Sequence, residues 1–291
     1  MKITDILNSG SRKMSFEVFP PKSSSGFESV SLAVREIAAL SPSFVSVTYG
    51  AGGGTGKYTL EIAREVKDKW RVPTLAHLTC VCSSKDSVRE KIEQFKAAQI
   101  QNVMALRGDI PRDMQDCDRT GWEYSHATEL ISELKVLGGF CIGGACYPEV
   151  HPESKSREFD RFMLREKVQA GCSFLTTQMF FDNSVFKGFL DELGAIGVNV
   201  PVIPGIMPIT SHKQIAQILN LSQAYIPREL MQTVERYSDD AVSMRQAGIE
   251  YAIKQARDLY SLGVKNVHIY TMNKPDVAAE IMKGVSELLG E

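Results

Sequence analysis

Polar side chains recur at the ends of short apolar segments in this sequence. Glu17, His77 and Arg107 each belong to a run of β-forming residues, within SFEVF, TLAHLT and NVMALR. A carboxyl group gives or takes a proton, an imidazole hydrogen-bonds through either ring nitrogen, and a guanidinium binds anions. Comparable positions are held by Thr48, Asp109, Gln178 and Tyr270. Together these groups suit the binding of a polar ligand and proton transfer to it.

Side chains alternate between the two faces of a strand, so residue parity separates an apolar face from a polar one. Glu17 is expected to face away from Phe16 and Val18, and Arg107 away from Met104. Taken singly, each polar residue also has a purely structural interpretation, such as a Glu17–Arg107 ion pair or a hydrogen-bonded core histidine at position 77. Taken together they favour a ligand site, because burying so many polar groups costs stability unless they are paired or bind a ligand.

Short β-type runs alternate with longer segments of helical periodicity, which indicates a parallel sheet with crossover helices. The predicted strands cover 15–19, 44–49, 74–79, 102–107, 140–147, 173–180, 201–206 and 266–271. The predicted helices include 26–40, 57–70, 84–99, 123–137, 158–170 and 183–196. Eight βα units predict an α/β fold, a closed (β/α)8 TIM barrel, as one catalytic domain over residues 1–291. An extra helix is expected between residues 207 and 262, before the last strand. A doubly wound open sheet is the alternative fold.

The polar strand ends should meet at the C-terminal mouth of such a barrel, where these folds carry their chemistry. The net charge of −2 gives no reason to expect nucleic acid or an anionic membrane as partner. With no segment of membrane-spanning or signal-peptide character, we expect a cytoplasmic protein with small-molecule substrates. The six scattered cysteines fit buried thiols, with Cys80 and Cys82 on one strand face, and predict no metal site.

The glycine-rich segment YGAGGGTGKY (49–58) does not match a phosphate-binding P-loop. That motif requires glycine where Ala51 stands and serine or threonine where Tyr58 stands. Several glycines in a βα loop instead favour a lid that closes over a ligand.

Eight motifs in this order resemble the methylenetetrahydrofolate reductase family in its bacterial, catalytic-barrel form. They are SFEVFPPK, VSVTYGAG, AHLTC, ALRGD, YPEVHPE, TTQMFFD, PGIMPI and YTMNK, from residue 15 to residue 274. The resemblance implies FAD across the C-terminal mouth of the barrel, reduced by NADH or NADPH and reoxidised by the folate in a ping-pong reaction. It places the protein in one-carbon metabolism and methionine biosynthesis. The implied FAD contacts are Thr48, Tyr49, Ala51, His77, Arg107, Gly108, Asp109, Tyr124, Ser125, Ala145, Tyr147, His151, Asp160 and Lys167.

The resemblance also implies roles in catalysis. Glu17 would be the general acid that protonates the leaving nitrogen when the five-membered ring of the folate opens to an iminium cation. Asp109 would favour that cation and tune the flavin. Implied folate contacts are Gln178, Tyr270, Lys274 and, where the bacterial enzymes carry an aromatic residue, His212.

Two further departures from the bacterial pattern are Met163 and Glu166, which replace a polar and a basic residue on the helix that reaches the FAD phosphates. They allow a variant that takes electrons from a partner protein, and the resemblance suggests a homo-oligomer. Two other classes stay open. A sugar-phosphate aldolase or isomerase would need a lysine or metal-binding carboxylates at the strand ends, and a non-catalytic flavin- or folate-binding barrel would not need Glu17, Asp109 and Gln178 together.

Overall fold

A computed structural model describes residues 1–21, 23–49, 56–110, 122–222 and 224–290. Ala51, Cys117 and most of the glycine-rich segment lie outside these ranges, so the predicted lid stays a prediction.

The strands form one parallel sheet that closes on itself as an α/β TIM barrel. Each of the eight predicted strands is present, and the seventh is split into β7 and β8 around Pro204. Proline has no N–H to donate to a ladder, but its carbonyl still accepts the N–H of His268 at 2.9 Å. β7 pairs with β6 and β8 with β9, so the barrel closes across this break. The strands are β1 (Lys13–Val18), β2 (Val45–Val47), β3 (Thr74–Thr79), β4 (Asn102–Leu106), β5 (Cys141–Cys146), β6 (Phe174–Thr177), β7 (Val202–Ile203), β8 (Gly205–Ile206) and β9 (Asn266–Tyr270).

The predicted helices are confirmed, with their ends shifted by a few residues. The region between β8 and β9 holds three helices in the described ranges, so the single extra helix expected there understated the insertion. The helices are α1 (Ile3–Leu7), α2 (Phe27–Ala39), α3 (Gly56–Arg64, followed by a π-helical turn Glu65–Lys69), α4 (Lys85–Ala97), α5 (Ala127–Leu137), α6 (Arg157–Ala170), α7 (Asn183–Ala195), α8 (His212–Ser222), α9 (Arg228–Arg236), α10 (Ala241–Ser261) and α11 (Pro275–Gly284).

Apolar side chains pack on both faces of the strands, in two layers. The larger one lies between the barrel and its helices and contains one parity of each strand, for example Phe16, Val47 and Leu78. The smaller one fills the N-terminal half of the barrel interior, where Phe44 and Phe174 pack with residues of α1; the layer comprises Ile3, Ile6, Phe44, Leu75, Met104, Cys141, Phe174 and Ile203. The polar side chains of the strands line the C-terminal half of the interior.

The expected parity is wrong in β4. Met104 packs in the barrel interior, whereas Val103 and Ala105 belong to the layer beneath the helices. Arg107 follows the end of the strand, and Gly108 has a φ of 89° that turns the chain. Strand alternation therefore no longer applies at Arg107. Likewise, Cys80 and Cys82 follow the end of β3 rather than sharing a strand face.

Among the helices in the described ranges, none combines the length and the apolar character needed to cross a bilayer.

Candidate active site

A buried carboxyl group lies within the barrel, on β1. Glu17 is 7% exposed, and its Oε2 accepts a hydrogen bond from Ser46 Oγ at 3.3 Å. Two imidazoles face the same oxygen, with His77 Nε2 at 3.6 Å and His268 Nε2 at 3.9 Å. Within the described ranges, no lysine or arginine forms an ion pair with Glu17. The site thus holds a carboxyl group in a pocket without a fixed positive charge next to it.

His77 does not supply that charge near neutral pH. Burial lowers its pKa to about 4, although the nearby Glu17 acts in the opposite direction. Its Nε2 atom is buried and has no hydrogen-bond partner in the described structure. A buried nitrogen of this kind is costly unless a ligand completes its bonding. The interpretation of His77 as a satisfied core histidine is therefore wrong.

The ends of β1 and β9 are held together by a side-chain clamp. Asn273 donates from Nδ2 to the Phe19 carbonyl and accepts the Phe19 N–H at Oδ1, both at 2.8 Å. Thr271 Oγ1 donates to the Glu17 carbonyl at 2.7 Å. These bonds fix the backbone of Glu17 at the mouth, which explains locally why the SFEVFPP and YTMNK motifs occur together.

The turn after β4 carries the second carboxylate. Arg107 forms a two-point ion pair with Glu153, at 2.5 and 3.0 Å, so the Glu17–Arg107 ion pair considered from the sequence is wrong. A Cβ at Gly108 would lie 2.9 Å from Thr79 Cβ, and together with the positive φ this requires glycine. The turn leaves Asp109 exposed beyond the strand end.

The loop between β5 and α6 forms another wall of the mouth. Arg161 donates to the carbonyls of Tyr147 and Pro148 and to Asp160. Asp160 Oδ1 accepts the N–H of His151 at 3.3 Å, and the Tyr147 and His151 rings meet edge to face at 4.6 Å. This network gives the loop a fixed shape.

Lys167 points from α6 to the end of β5, where its Nζ donates to the carbonyl of Ala145 at 2.8 Å. Burial lowers its pKa, and burial together with the Arg107 charge also lowers the pKa of His151. Met163 and Glu166 lie on the same helix.

Residues from β5, β6 and β9 link the two carboxylates across the mouth. Tyr270 donates to the Thr177 carbonyl at 2.5 Å, and its pKa is raised well above its usual value by burial and by the charge of Glu17. Burial and the charge of Asp109 raise the pKa of Tyr147, whose hydroxyl hydrogen-bonds Gln178. Glu17, Tyr270, Tyr147 and Asp109 are thus electrostatic neighbours in one mouth.

Some expected contacts lie elsewhere or at the rim. The side chains of Tyr49 and Tyr124 pack in the layer beneath the helices, where Tyr124 donates to Glu133. Ser125 is exposed, and its N–H is bound by Glu129; Thr48 is partly buried and follows β2. His212 is exposed at the first residue of α8. Lys274 donates to Thr210 Oγ1 at 2.9 Å.

Sequence reasoning did not single out four residues that organise this mouth: Ser46, Glu153, Arg161 and His268. Ser46 and His268 were detectable, because they share the polar parity of β2 and β9. Arg161 and Glu153 had no such signal, because both lie outside the strands, where parity does not apply.

Fold and site together define a (β/α)8 barrel whose C-terminal mouth, where enzymes of this fold carry their chemistry, holds two carboxyl groups, Glu17 and Asp109. The methylenetetrahydrofolate reductase family model matches residues 2–286. The 5,10-methylenetetrahydrofolate reductase of Escherichia coli (strain K12) is 34% identical over 272 residues, covering 94% of this chain and 90% of that one. The enzyme of the same name from Pectobacterium carotovorum is 33% identical, with 94% and 89% coverage.

The chain belongs to the methylenetetrahydrofolate reductase family. "Methylenetetrahydrofolate reductase (NADH) 1" of Arabidopsis thaliana is 32% identical over 97% of this chain but only 49% of its own length. A solved structure from Clostridium thermocellum, described as an uncharacterized protein that binds two copies of 5-methyl-5,6,7,8-tetrahydrofolic acid, superposes with a TM-score of 0.62. It is 15% identical and covers 99% of both chains, so that likeness supports the fold alone.

Proposed function

We propose that this protein reduces 5,10-methylenetetrahydrofolate to 5-methyltetrahydrofolate with electrons from NADH or NADPH, using FAD in a ping-pong sequence. Family membership supports the folate reaction. The named activity of the plant relative supports NADH as one donor. The reaction would be carried out by one domain over residues 1–291, would serve one-carbon metabolism and methionine biosynthesis, and would take place in a homo-oligomer.

The residues present fit FAD. His77 Nε2 is a buried ring nitrogen without a partner in the described structure. Arg107 and Lys167 are held in place by Glu153 and the Ala145 carbonyl, after β4 and beside β5. Basic side chains of this kind are what a dinucleotide pyrophosphate requires. The residues that would hold FAD are Thr48, His77, Arg107, Gly108, Asp109, Ala145, Tyr147, His151, Asp160 and Lys167. Bound FAD would supply the chemistry that accepts hydride from the nicotinamide and delivers it to the folate.

Glu17 is the proposed proton donor. Opening the five-membered ring of the substrate breaks a C–N bond, and the nitrogen that leaves takes up one proton while the carbon becomes an iminium cation. The observation that carries this assignment is the burial of Glu17 beside a neutral His77 with no arginine or lysine ion pair in the described ranges. A buried carboxyl group at the mouth of the barrel would meet the leaving nitrogen of a bound folate, as a general acid must.

The remaining mouth residues would bind and orient the folate. Asp109, exposed beyond β4, would favour the cationic iminium by its negative charge. Gln178 would hydrogen-bond the pterin, and Tyr270 would lie against it. Lys274 and His212, on the rim, would contact the outer part of the substrate, with the Lys274 ammonium pairing with the glutamate tail.

The test separates the two half-reactions of purified protein under anaerobic conditions. NADH, then NADPH, is added while the flavin absorbance is followed, and methylenetetrahydrofolate is added to the bleached protein. In Glu17→Gln, bleaching should proceed at the wild-type rate and recovery by folate should be abolished, because the amide has no acidic proton to give.

Glu65→Gln serves as the matched control, since Glu65 accepts hydrogen bonds from Ser31 at the end of α3. It should retain both half-reactions. A wild-type protein that binds no flavin, or a Glu17→Gln variant that recovers at the normal rate, would contradict the proposal. Flavin that neither nicotinamide bleaches would instead indicate electrons from a partner protein.

A further inference from the structure

A chain of buried hydrogen bonds lies behind Glu17 and crosses three strands. Asn266 Nδ2 donates to Ser15 Oγ at 3.0 Å, and Ser15 Oγ lies 2.8 Å from His268 Nδ1. His268 Nε2 lies 3.1 Å from Ser46 Oγ, which reaches Glu17 Oε2 at 3.3 Å. Every member is less than 9% exposed.

The geometry at the far end of this hydrogen-bond network favours one direction of donation. Asn266 Nδ2 faces two oxygens, Ser15 Oγ and the Val267 carbonyl at 3.4 Å. The carbonyl can only accept, so the amide of Asn266 must point its NH2 group, not its oxygen, towards them. Ser15 therefore accepts from Asn266, and its own hydrogen goes to the closer acceptor, His268 Nδ1. A neutral imidazole that accepts at Nδ1 carries its hydrogen on Nε2. His268 then donates to Ser46, which leaves the hydroxyl hydrogen of Ser46 for Glu17.

The consequence concerns which oxygen of Glu17 can carry a proton. Oε2 is occupied as an acceptor by Ser46, and the direct distance of 3.9 Å from His268 Nε2 is too long for a hydrogen bond. Within the described ranges no protein hydrogen bond reaches Oε1. A protonated Glu17 would therefore hold its hydrogen on Oε1, the oxygen free for a ligand.

We propose that His268 is a positioning residue, which acts through Ser46 to keep the transferable proton of Glu17 on Oε1. The proposal rests on the reduction of methylenetetrahydrofolate proposed above. If the direction of the chain were reversed, Glu17 would donate from Oε2 to Ser46, and the acidic hydrogen would face the protein instead of the substrate.

The kinetic test uses the hydroxyl of Ser46. Ser46→Ala should slow flavin recovery at saturating folate by about tenfold to a hundredfold, the range expected when one hydrogen bond to an ionisable group is lost. Bleaching by the nicotinamide and the folate Kd should not change. Ser46→Thr retains the hydroxyl and should recover most of the rate. Equal losses in both half-reactions, or no loss in Ser46→Ala, would overturn the proposal.

A second readout needs neither flavin nor folate. In protein with ¹⁵N-labelled histidine, the two ring nitrogens of His268 should have the shifts of the Nε2–H tautomer at pH 7. His268→Phe, which keeps a ring against Phe44, assigns the resonances. The Nδ1–H tautomer or a doubly protonated ring would overturn the proposal. Wild-type protein that shows the expected tautomer but does not reduce the folate would contradict the proposed function. The proposed direction of the hydrogen-bond network would still stand.

Discussion

Gly248 on α10 is the position where a single methyl group should do the most damage to the mouth. A Cβ at this residue would lie 1.7 Å from the carbonyl oxygen of Ile209 and 2.6 Å from its carbonyl carbon. Ile209 precedes Thr210, whose Oγ1 accepts a hydrogen bond from the Lys274 ammonium. Gly248→Ala therefore forces apart a helix and the loop that forms the folate rim.

The expected magnitude follows from these distances. Carbon and oxygen pack at about 3.3 Å, so the loop or the helix must move by roughly 1.5 Å. Overpacking of this kind costs about 1–3 kcal/mol, and a clash with backbone belongs at the upper end. Alanine recovers about 1 kcal/mol through its better helix propensity. We expect a net destabilisation of about 2 kcal/mol, or a Tm lower by about 5 °C, with a raised folate KM.

Thermal unfolding of the purified variant measures the first effect, and folate saturation kinetics measure the second. Gly188→Ala is the matched control, because Gly188 lies within α7 and a Cβ added there would meet no neighbouring atom within 4 Å. This control should stabilise the protein by about 0.5–1 kcal/mol. If Gly248→Ala is as stable as Gly188→Ala, the close approach of α10 to Ile209 does not exist in solution.

Three further predictions concern other parts of the mouth. His77 has a pKa of about 4 in the fold and near 6.5 in the unfolded chain, so between these values the unfolded chain binds one more proton than the folded one. The free energy of unfolding should therefore fall by about 3 kcal/mol from above pH 6.5 towards pH 4. In urea unfolding, His77→Gln should show a weaker dependence of this free energy on pH. Gly108→Ala should lower the free energy of unfolding in urea by about 2 kcal/mol, because of its φ of 89° and the contact with Thr79; an unchanged midpoint would refute this. Lys274→Met should raise the KM for polyglutamylated folate up to about tenfold with kcat retained, and an equal effect on monoglutamate would argue against a role in tail binding.

The fold was predictable because its evidence is local. Each strand is a short, largely buried run. Glycines such as Gly138 and Gly171 end their helices with a positive φ, as expected for C-caps. The split of the seventh strand at Pro204 follows from proline chemistry, but the pairing of its halves with different neighbours depends on barrel closure. No local pattern specifies how many helices an insertion forms.

The site was predictable where alternation holds and not beyond it. Glu17, His77 and Tyr270 lie within strands, and parity placed them in the barrel interior. Arg107 lies past the end of β4, where alternation no longer applies, and parity could not indicate its partner Glu153, which is 46 residues away. Tyr49 shows a further limit: its side chain packs beneath the helices, so any contact with a ligand at the mouth would fall to its backbone.

Depth in the barrel explains why a single face of a strand carries two kinds of residue. Phe44, directly before β2, belongs to the apolar layer, and Ser46, two residues later on β2, belongs to the polar one. On β3 the same step separates Leu75 from His77. Two residues of a strand advance about 6.6 Å, so the change from packed core to ligand site takes place within one layer of side chains. Glu17 lies just on the polar side of this boundary. Its burial and its access to a ligand therefore have the same origin, which is a position one layer above a core that α1 closes from below.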